Sequence, residues 1–422
     1  MNSMTQQNSN IPQGYKYSPL GIVPEEWEVK KVGDLCTFLS TNTLSRDQLN
    51  DENGEMQNIH YGDVLIKFDS ILDLSKEQLP FIINTDILKV KDPVLDGDII
   101  MADTAEDEAV GKACEVVNVG ERKVYSGLHT YLIRPTNNQF ASRYLGYFMN
   151  SNVYHDKLLP FIQGIKVSSI SKPVVGNSFL AIPPLPDQQK IASILTLWDS
   201  AIEKQSQLIE KLELRKKGLM QQLLTGKKRL KGFEGEWKEV KLGELFTERN
   251  ELHCDDLSLL SIGQNGVYPQ SESDKRDISN SDKSKYKRIC PNDIGYNTMR
   301  MWQGRSALSS LEGIVSPAYT IVIPQNGVNP LFISVLIKQS RTVYDFWTHS
   351  QGLVSDTLNC KYPDFSQVKV LIPSLPEQTA IATILTTADQ EIETEKNKLE
   401  HLRRQKKGLM QVLLTGKKRV KI

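Results

Sequence analysis

The chain of 422 residues contains no apolar stretch approaching the roughly 20 residues that span a bilayer. Its opening, MNSMTQQNSNIPQG, is polar and lacks the apolar centre of a secretory signal. Both absences point to a cytoplasmic protein with no membrane partner. Cysteine is scarce. Cys36, Cys114, Cys254, Cys290 and Cys360 are odd in number and never paired at metal-knuckle spacing, which argues against a disulfide framework and against zinc. The histidines, at 60, 129, 155, 253, 349 and 401, are scattered, as structural histidines are.

The signatures of several chemistries are missing as well. There is no Walker A sequence. An adenine methyltransferase needs a glycine-rich cofactor turn and an Asn/Asp-Pro-Pro-aromatic loop to hold an extruded base. The nearest match, Asn329-Pro330-Leu331-Phe332, has leucine for the second proline and no Gly-x-Gly turn upstream, so it reads as a helix start. A nuclease needs clustered carboxylates and a lysine around Mg²⁺, yet Pro363-Asp364 is followed by Gln367-Val368-Lys369, with glutamine where an acid should stand. The expectation is a chain without catalysis, metal or cofactor of its own.

Net charge is also absent, 51 Lys and Arg balancing 51 Asp and Glu, but the charge is unevenly spread. Positions 215–231 hold seven basic residues and no acidic one, and positions 403–421 hold eight and none. By contrast, 45–108 is acid-rich and a poor surface for phosphate.

What the chain does have is itself, twice. The segment 182–231, IPPLPDQQKIASILTLWDSAIEKQSQLIEKLELRKKGLMQQLLTGKKRLK, returns at 372–421 without a gap and with 29 of 50 positions identical. An offset of 190 residues is far longer than the roughly 20–50 of a stacked solenoid. Each repeat is therefore a module of a globular part and a helix. The modules open alike, VPEEWEVKKVGDLCT matching FEGEWKEVKLGELFT, and end alike. YLIRP at 131–135 and TIVIP at 320–324 each read as a buried strand closed by proline, preceded by SGLHT or SPAYT. Helical segments FASRYLGYFMNS and LFISVLIKQS follow, then Gln163-Gly164 or Gln351-Gly352. Between these landmarks the halves share almost nothing, as two related domains with different recognition surfaces would.

Leu195, Trp198, Ile202, Gln205, Ile209, Leu212, Lys216, Leu219 and Leu223 alternate in spacings of three and four, the a/d seam of a coiled coil. The copy repeats it at Leu385, Ala388, Ile392, Glu395, Leu399, Leu402, Lys406, Leu409 and Leu413. Pro186-Asp187 and Pro376-Glu377 suit helix starts, and Thr-Gly at 225–226 and 415–416 suits helix stops. The first helix delivers the chain to the second domain, so a partner helix in the same seam must run back antiparallel, with a pseudo-two-fold axis. Helices of about 38 residues are roughly 57 Å long, comparable to one to two turns of B-DNA. The alternative is that each stripe packs on its own globular domain.

Paired IPxLPxQ, helix and KKGLMQxLLTGK segments, each behind a divergent domain, resemble the specificity subunit of type I DNA restriction-modification systems. The resemblance covers nearly the whole chain from about Tyr15. It implies an α+β fold of two mixed α/β target-recognition domains separated by two long antiparallel coiled-coil helices. Each domain would read one half of a split asymmetric site in double-stranded DNA. The helices would set the spacing and bind two methyltransferase subunits, to which ATP-driven restriction subunits attach. The resemblance also leaves adenine N6 methylation and restriction, with S-adenosylmethionine, ATP and Mg²⁺, to those partner subunits. GDIIMADTAEDEAVGKACEV and NDIGYNTMRMWQG look like two different recurring types of recognition domain. The expected division is a disordered 1–14, recognition domains at 15–181 and 232–371, and helical spacers at 182–231 and 372–422.

Arginine reads guanine with two bonds, asparagine or glutamine reads adenine, and lysine mostly positions on phosphate. In the second domain the side chains of that kind are Lys283, Lys285, Tyr286, Lys287 and Arg288, then Arg300, Trp302, Gln303 and Arg305, with Gln351 beyond. The lysines also suit a solvated loop, whereas two arginines, a glutamine and a tryptophan within MRMWQGR are unusual on an idle surface. In the first domain the candidates are Arg122, Lys123, His129, Gln163, Lys166, Ser168 and Ser169. The basic helix ends suit phosphate or an acidic partner surface. A coiled-coil protein-binding scaffold with no DNA role is the competing reading, which neutral net charge permits.

Overall fold

The computed structural model describes residues 11–164, 166–263, 266–273, 282–352 and 357–421. The chain divides into two compact units, residues 1–206 with 398–422 (unit 1) and residues 207–397 (unit 2). Each unit thus takes in one globular domain together with the start of one long helix and the end of the other. Of the 1–14 segment expected to be disordered, residues 1–10 lie outside the described residues. The remainder is an ordered turn, with Tyr15 N donating to Pro12 O at 3.1 Å and Glu25 N to Gly14 O at 2.9 Å, so the boundary expected at 15 falls inside structure.

The proline-closed strand of each repeat is an inner strand of a sheet. Unit 1 carries β1 (Cys36–Leu39), β2 (Ile71–Asp73), β3 (Ile99–Ala102), β4 (Ala113–Val117) and β5 (Thr130–Pro135) in the order β1-β5-β3-β4-β2. All neighbours are antiparallel except β4 with β2, which makes the sheet mixed. Side chains alternate between two cores. Ile99, Met101, Tyr131 and Ile133 meet the helices, and Ile100, Ala102 and Leu132 meet Ile59 and Val124 of a second sheet. Burial on both faces explains why these strands read as unbroken apolar runs. Unit 2 carries β6 (Phe246–Glu248), β7 (Ile294–Asn297), β8 (Ser306–Leu308) and β9 (Tyr319–Pro324) in the order β6-β9-β7-β8, the same sequence of neighbours without the parallel edge strand.

The two long helices are Leu185–Leu223 and Leu375–Leu413, 39 residues each. Both stop where Thr-Gly predicts, with Gly226 at φ 68° and Gly416 at φ 69°, the left-handed turn that favours glycine. Within each unit they run antiparallel. In unit 1, Asp199 pairs with Lys406, and Asp187 with Arg419 at 3.2 Å. In unit 2, Asp389 pairs with Lys216, and Glu377 with Arg229 at 2.7 Å. Each unit-2 pair is the unit-1 pair with its residues exchanged between repeats.

Of the predicted seam, Leu195, Ile209, Leu212, Leu223, Leu385, Ile392 and Leu413 are buried; Trp198, Ile202, Leu219, Leu399, Leu402 and Leu409 are half-buried. The stripe's ends serve a second purpose. Leu195 and Leu413 belong to the core of unit 1, and Leu223 and Leu385 to that of unit 2. The two alternatives posed by the sequence therefore hold on different stretches of the same helices.

The least comfortable group in unit 1 is Glu115, on β4 and only 2% exposed. Its carboxylate accepts from the backbone N–H of Arg143 and, at 2.9 Å, from that of Gly146. Gly146 permits the approach, because a Cβ there would overlap Ser70 O and the Glu115 side chain. Burial outweighs those bonds and pushes the Glu115 pKa up from 4.5 to about 7. A raised carboxyl pKa favours the protonated folded state. Its contribution is complete below about 4.5 and is lost as pH rises through about 7, amounting to at most about 3 kcal/mol. Hydrogen exchange in β4 should accordingly show unit 1 weakening from pH 4.5 to 7, and Glu115→Gln should flatten that profile; an unchanged profile would place the titration elsewhere.

Candidate nucleic-acid interface

In unit 1 three segments distant in sequence meet where β3 leaves its sheet. Asp103 N donates to His129 O at 3.1 Å, and Ile170 N donates to Asp103 O at 2.9 Å. The two-residue strand Thr104–Ala105 pairs with Ser168–Ser169, and Gln163 and Ser169 exchange backbone bonds of 3.0 and 2.7 Å. His129 sits in the left-handed region at φ 55°. Its Nδ1 lies 3.4 Å from Asp103 Oδ1 and 3.4 Å from Thr104 Oγ1. The ring of Tyr61, first residue of helix α1 (Tyr61–Ile66), meets His129 edge-on at 5.4 Å, and His60 lies against Tyr61 at 4.6 Å. His60 Nδ1 accepts from Gly62 N at 3.1 Å and caps α1, and burial lowers its pKa.

Of the unit-1 residues singled out from sequence, this edge gathers His129, Gln163, Ser168 and Ser169, with Lys166 exposed on the turn that follows helix α2 (Asn152–Leu158) and Gln163. It does not gather Arg122 and Lys123. Lys123 opens the strand Lys123–Ser126 at the end away from Ser126, and the Arg122 guanidinium donates to Glu77 O at 3.1 Å. Asp103, Thr104, His60 and Tyr61 do not stand out as site residues in the sequence, because they lie in the acid-rich 45–108, a poor surface for phosphate. A carboxylate beside an imidazole is a different matter, since base edges offer amino donors that phosphates lack.

Unit 2 builds the same edge. Thr298 N donates to Ala318 O at 3.2 Å, Cys360 N to Thr298 O at 2.8 Å, and Gln351 and Asn359 exchange bonds of 3.0 and 2.8 Å. The side chains it displays are different. Between β7 and β8 the 3-10 turn Met301–Gln303 is anchored by buried Met301, leaving Arg300, Gln303 and Arg305 exposed and Trp302 half-exposed. Trp302 Nε1 donates to Met299 O at 3.0 Å, and Asn297 N to Arg305 O at 3.1 Å. Gly304, at φ 72°, closes the turn against Val343 of helix α3 (Ser340–His349). Gln351 Nε2 donates to Asp364 Oδ1 at 2.9 Å.

The basic run before β7 is placed otherwise than its sequence suggests. Tyr286 is 7% exposed, so its ring is a packing residue rather than a surface for a base. Lys283 Nζ lies 4.9 Å over that ring. Arg288 is committed to Glu251 at 2.7 Å and to Glu312, carboxylates that hold its pKa up. Lys287 stands 3.7 Å from Glu248, and Lys285 is exposed. The cause is the pairing of Lys287–Ile289 with Gly313–Val315, which turns alternate side chains inward and brings Glu312 alongside. Among the described residues no His, Cys, Asp and Glu group is arranged to hold a metal ion, and no helix is long and apolar enough to cross a membrane.

Residues 24–214 and 234–404 each match the type I restriction modification DNA specificity domain family. Over 97% of its length the chain is 26% identical to a protein of Methanocaldococcus jannaschii named "Putative type I restriction enzyme MjaX specificity subunit", of which it covers 97%. A solved S subunit of a type I restriction-modification system from M. genitalium superposes with TM-score 0.51 at 13% identity, covering 92% of this chain and 96% of that one. A chain from a structural study of type I R-M complex assembly superposes with TM-score 0.60 at 16% identity, over 93% and 99%. At these identities the structures establish the shared fold. With two matched domains spanning most of its length, the chain belongs to the type I restriction-modification specificity family, as a specificity subunit built of two DNA-recognition repeats.

Proposed function

We propose that each unit reads one half of a bipartite, asymmetric duplex site, and that the two long helices fix the gap between the halves and dock two methyltransferase subunits. The chain is a non-catalytic subunit. Its partners supply adenine N6 methylation with S-adenosylmethionine, and restriction subunits joined through them act with ATP and Mg²⁺, all in the cytoplasm. One observation carries this reading. The same hydrogen-bonded edge recurs in both units, but it presents His129, Asp103, Thr104, Ser168 and Ser169 in one and Arg300, Trp302, Gln303 and Arg305 in the other. A scaffold for one protein partner would keep its face. Two readers of different half-sequences must change theirs, because base edges are distinguished by donor and acceptor pattern. The long helices, by contrast, recur with two of their ion pairs in both units, as a surface for a partner present twice would.

The isolated chain is expected neither to methylate nor to cut DNA, and to direct methylation of both half-sites once its methyltransferase subunit is added. Turnover by the chain alone would contradict this. Arg305→Ala should relax or weaken recognition of one half-site by roughly 1–3 kcal/mol if a bidentate base contact is lost. His129→Ala should act on the other half only. Methylation profiling of both variants decides the matter, equal loss at both halves meaning that these side chains hold structure or contact phosphate generally.

A 39-residue helix is about 58 Å long. Inserting one heptad after Leu212 and one after Leu402 keeps the a/d pattern and lengthens the pair by about 10 Å. That is about three base pairs, which also rotate the second half-site by roughly 100°. Methylation of the original site should fall, and what remains should favour a longer gap between unchanged half-sequences. Full activity at the old gap would show that the helices do not set it.

A further inference from the structure

We propose that unit 2 carries a second DNA-contacting element, an aromatic ledge of Tyr344 and Trp347 on α3, which packs against the duplex beside the bases met by the turn Met301–Gln303. The proposal rests on the reading of unit 2 as a half-site reader.

The ledge is left open by a helix that is otherwise well packed. Thr342 and Phe346 are buried, whereas Tyr344 is 59% and Trp347 48% exposed. Their rings lie together, centroids 5.6 Å apart. Two neighbouring aromatics held in water on a ten-residue helix are an unfilled apolar surface. Its place ties it to the recognition edge. Val343 is the residue that meets Gly304 at the end of the turn, and Trp347 lies one helical turn further along the same face. Met299, 46% exposed, stands at the start of that turn, and α3 runs on directly into Gln351. Arg300 and Arg305, both exposed, border the turn against which α3 packs.

Aromatics, methionine and arginine are also what a protein-binding face is made of. The comparison between repeats decides for DNA. In unit 1, α2 has a single aromatic, Tyr154, which is buried with its hydroxyl 2.9 Å from Ser178 Oγ. The exposed ring that follows, Phe161, lies in a different setting, a groove of about 400 Å³ with Leu20 and Phe179. A partner that engages both modules needs features both modules possess. What only unit 2 possesses belongs to what only unit 2 meets, its own half-sequence. An aromatic face carries no hydrogen-bond code. It would add affinity, with selectivity for thymine methyl groups or easily deformed base steps.

The test uses the full chain with its methyltransferase subunit and a duplex carrying the site mapped from methylated DNA of cells expressing the wild-type chain. Trp347→Ala should weaken binding about tenfold, within the range for losing a well-packed tryptophan from an interface. The slope of affinity against salt should not change, because no phosphate contact is removed. Trp347→Phe should restore most of the loss. The deficit should vanish when one half-sequence is scrambled and persist when the other is. Unaltered affinity in Trp347→Ala, or a deficit indifferent to either half-sequence, would overturn the proposal. So would weaker assembly with the methyltransferase subunit, which would make the ledge a protein-docking face. If the wild-type complex does not prefer its mapped site to a scrambled one, the half-site reading itself falls.

Discussion

A buried carboxylate in the first turn of each long helix holds the scaffold together. Glu377, 1% exposed, takes the Arg229 guanidinium through both oxygens at 2.7 Å, and Asp187, 3% exposed, takes that of Arg419. A carboxylate there lies over the unpaired N–H groups of the helix start, and the arginine comes from just beyond the end of the other helix. The adjacent glutamine binds the globular domain to the same point. Gln188 accepts from Ala141 N at 2.9 Å and donates to Gln139 O and Pro183 O; Gln378 accepts from Asn329 N at 2.9 Å and donates to Gly327 O and Pro373 O. Removing Glu377 would leave Arg229 half-buried without that charge partner, the costly way to break such a pair, whereas Arg419 is exposed and also pairs with Glu26. The seam between the helices inherits its register from this joint.

The strand layer shows the same need met by different means. Asp98 and Asp293 each precede the strand that leads to the recognition edge, both are almost fully buried, and each closes a turn by accepting a backbone N–H, from Leu95 at 2.8 Å and from Cys290 at 2.7 Å. Each then requires a cation. In unit 1 it is Arg134, on β5, and in unit 2 it is Arg249, just after β6. These positions lie on neighbouring strands on the same side of the aspartate's strand, so the guanidinium comes from the adjacent strand in unit 1 and from the strand beyond it in unit 2. The repeats thus preserve an electrostatic requirement while the residue that satisfies it has moved.

This separates what was legible in the sequence from what was not. The seam and the helix limits were legible because they depend on local spacing, and Asn329 caps its helix by accepting from Phe332 N at 2.9 Å, as its sequence context suggests. The flanking strands were legible because burial on both faces leaves an apolar run closed by proline. The site was legible only in part. MRMWQGR stood out by composition and does lie on the edge, but Tyr286 and Arg288 look like readers in sequence and are consumed by packing and by two glutamates. Asp103, Thr104 and Tyr61 are brought to His129 by pairings between segments some 25 to 70 residues apart, which no local pattern records. The same holds for Asp187 and Arg419, each readable as a helix-end residue and neither readable as the other's partner.

That difference in legibility follows from how the fold divides its work. Among the described residues, the long helices are tied to each other and to their domains by ion pairs at the helix ends, a buried glutamine in each first turn and a packed seam. Such interactions are weakened when one member changes alone, and these are found in both copies. The recognition edge is held by backbone hydrogen bonds, from Asp103 to His129 in one unit and from Thr298 to Ala318 in the other. Backbone bonds do not depend on which side chain a residue carries. An edge built this way tolerates replacement of its surface residues without loss of its shape, which is the physical condition for one architecture to present two unrelated surfaces.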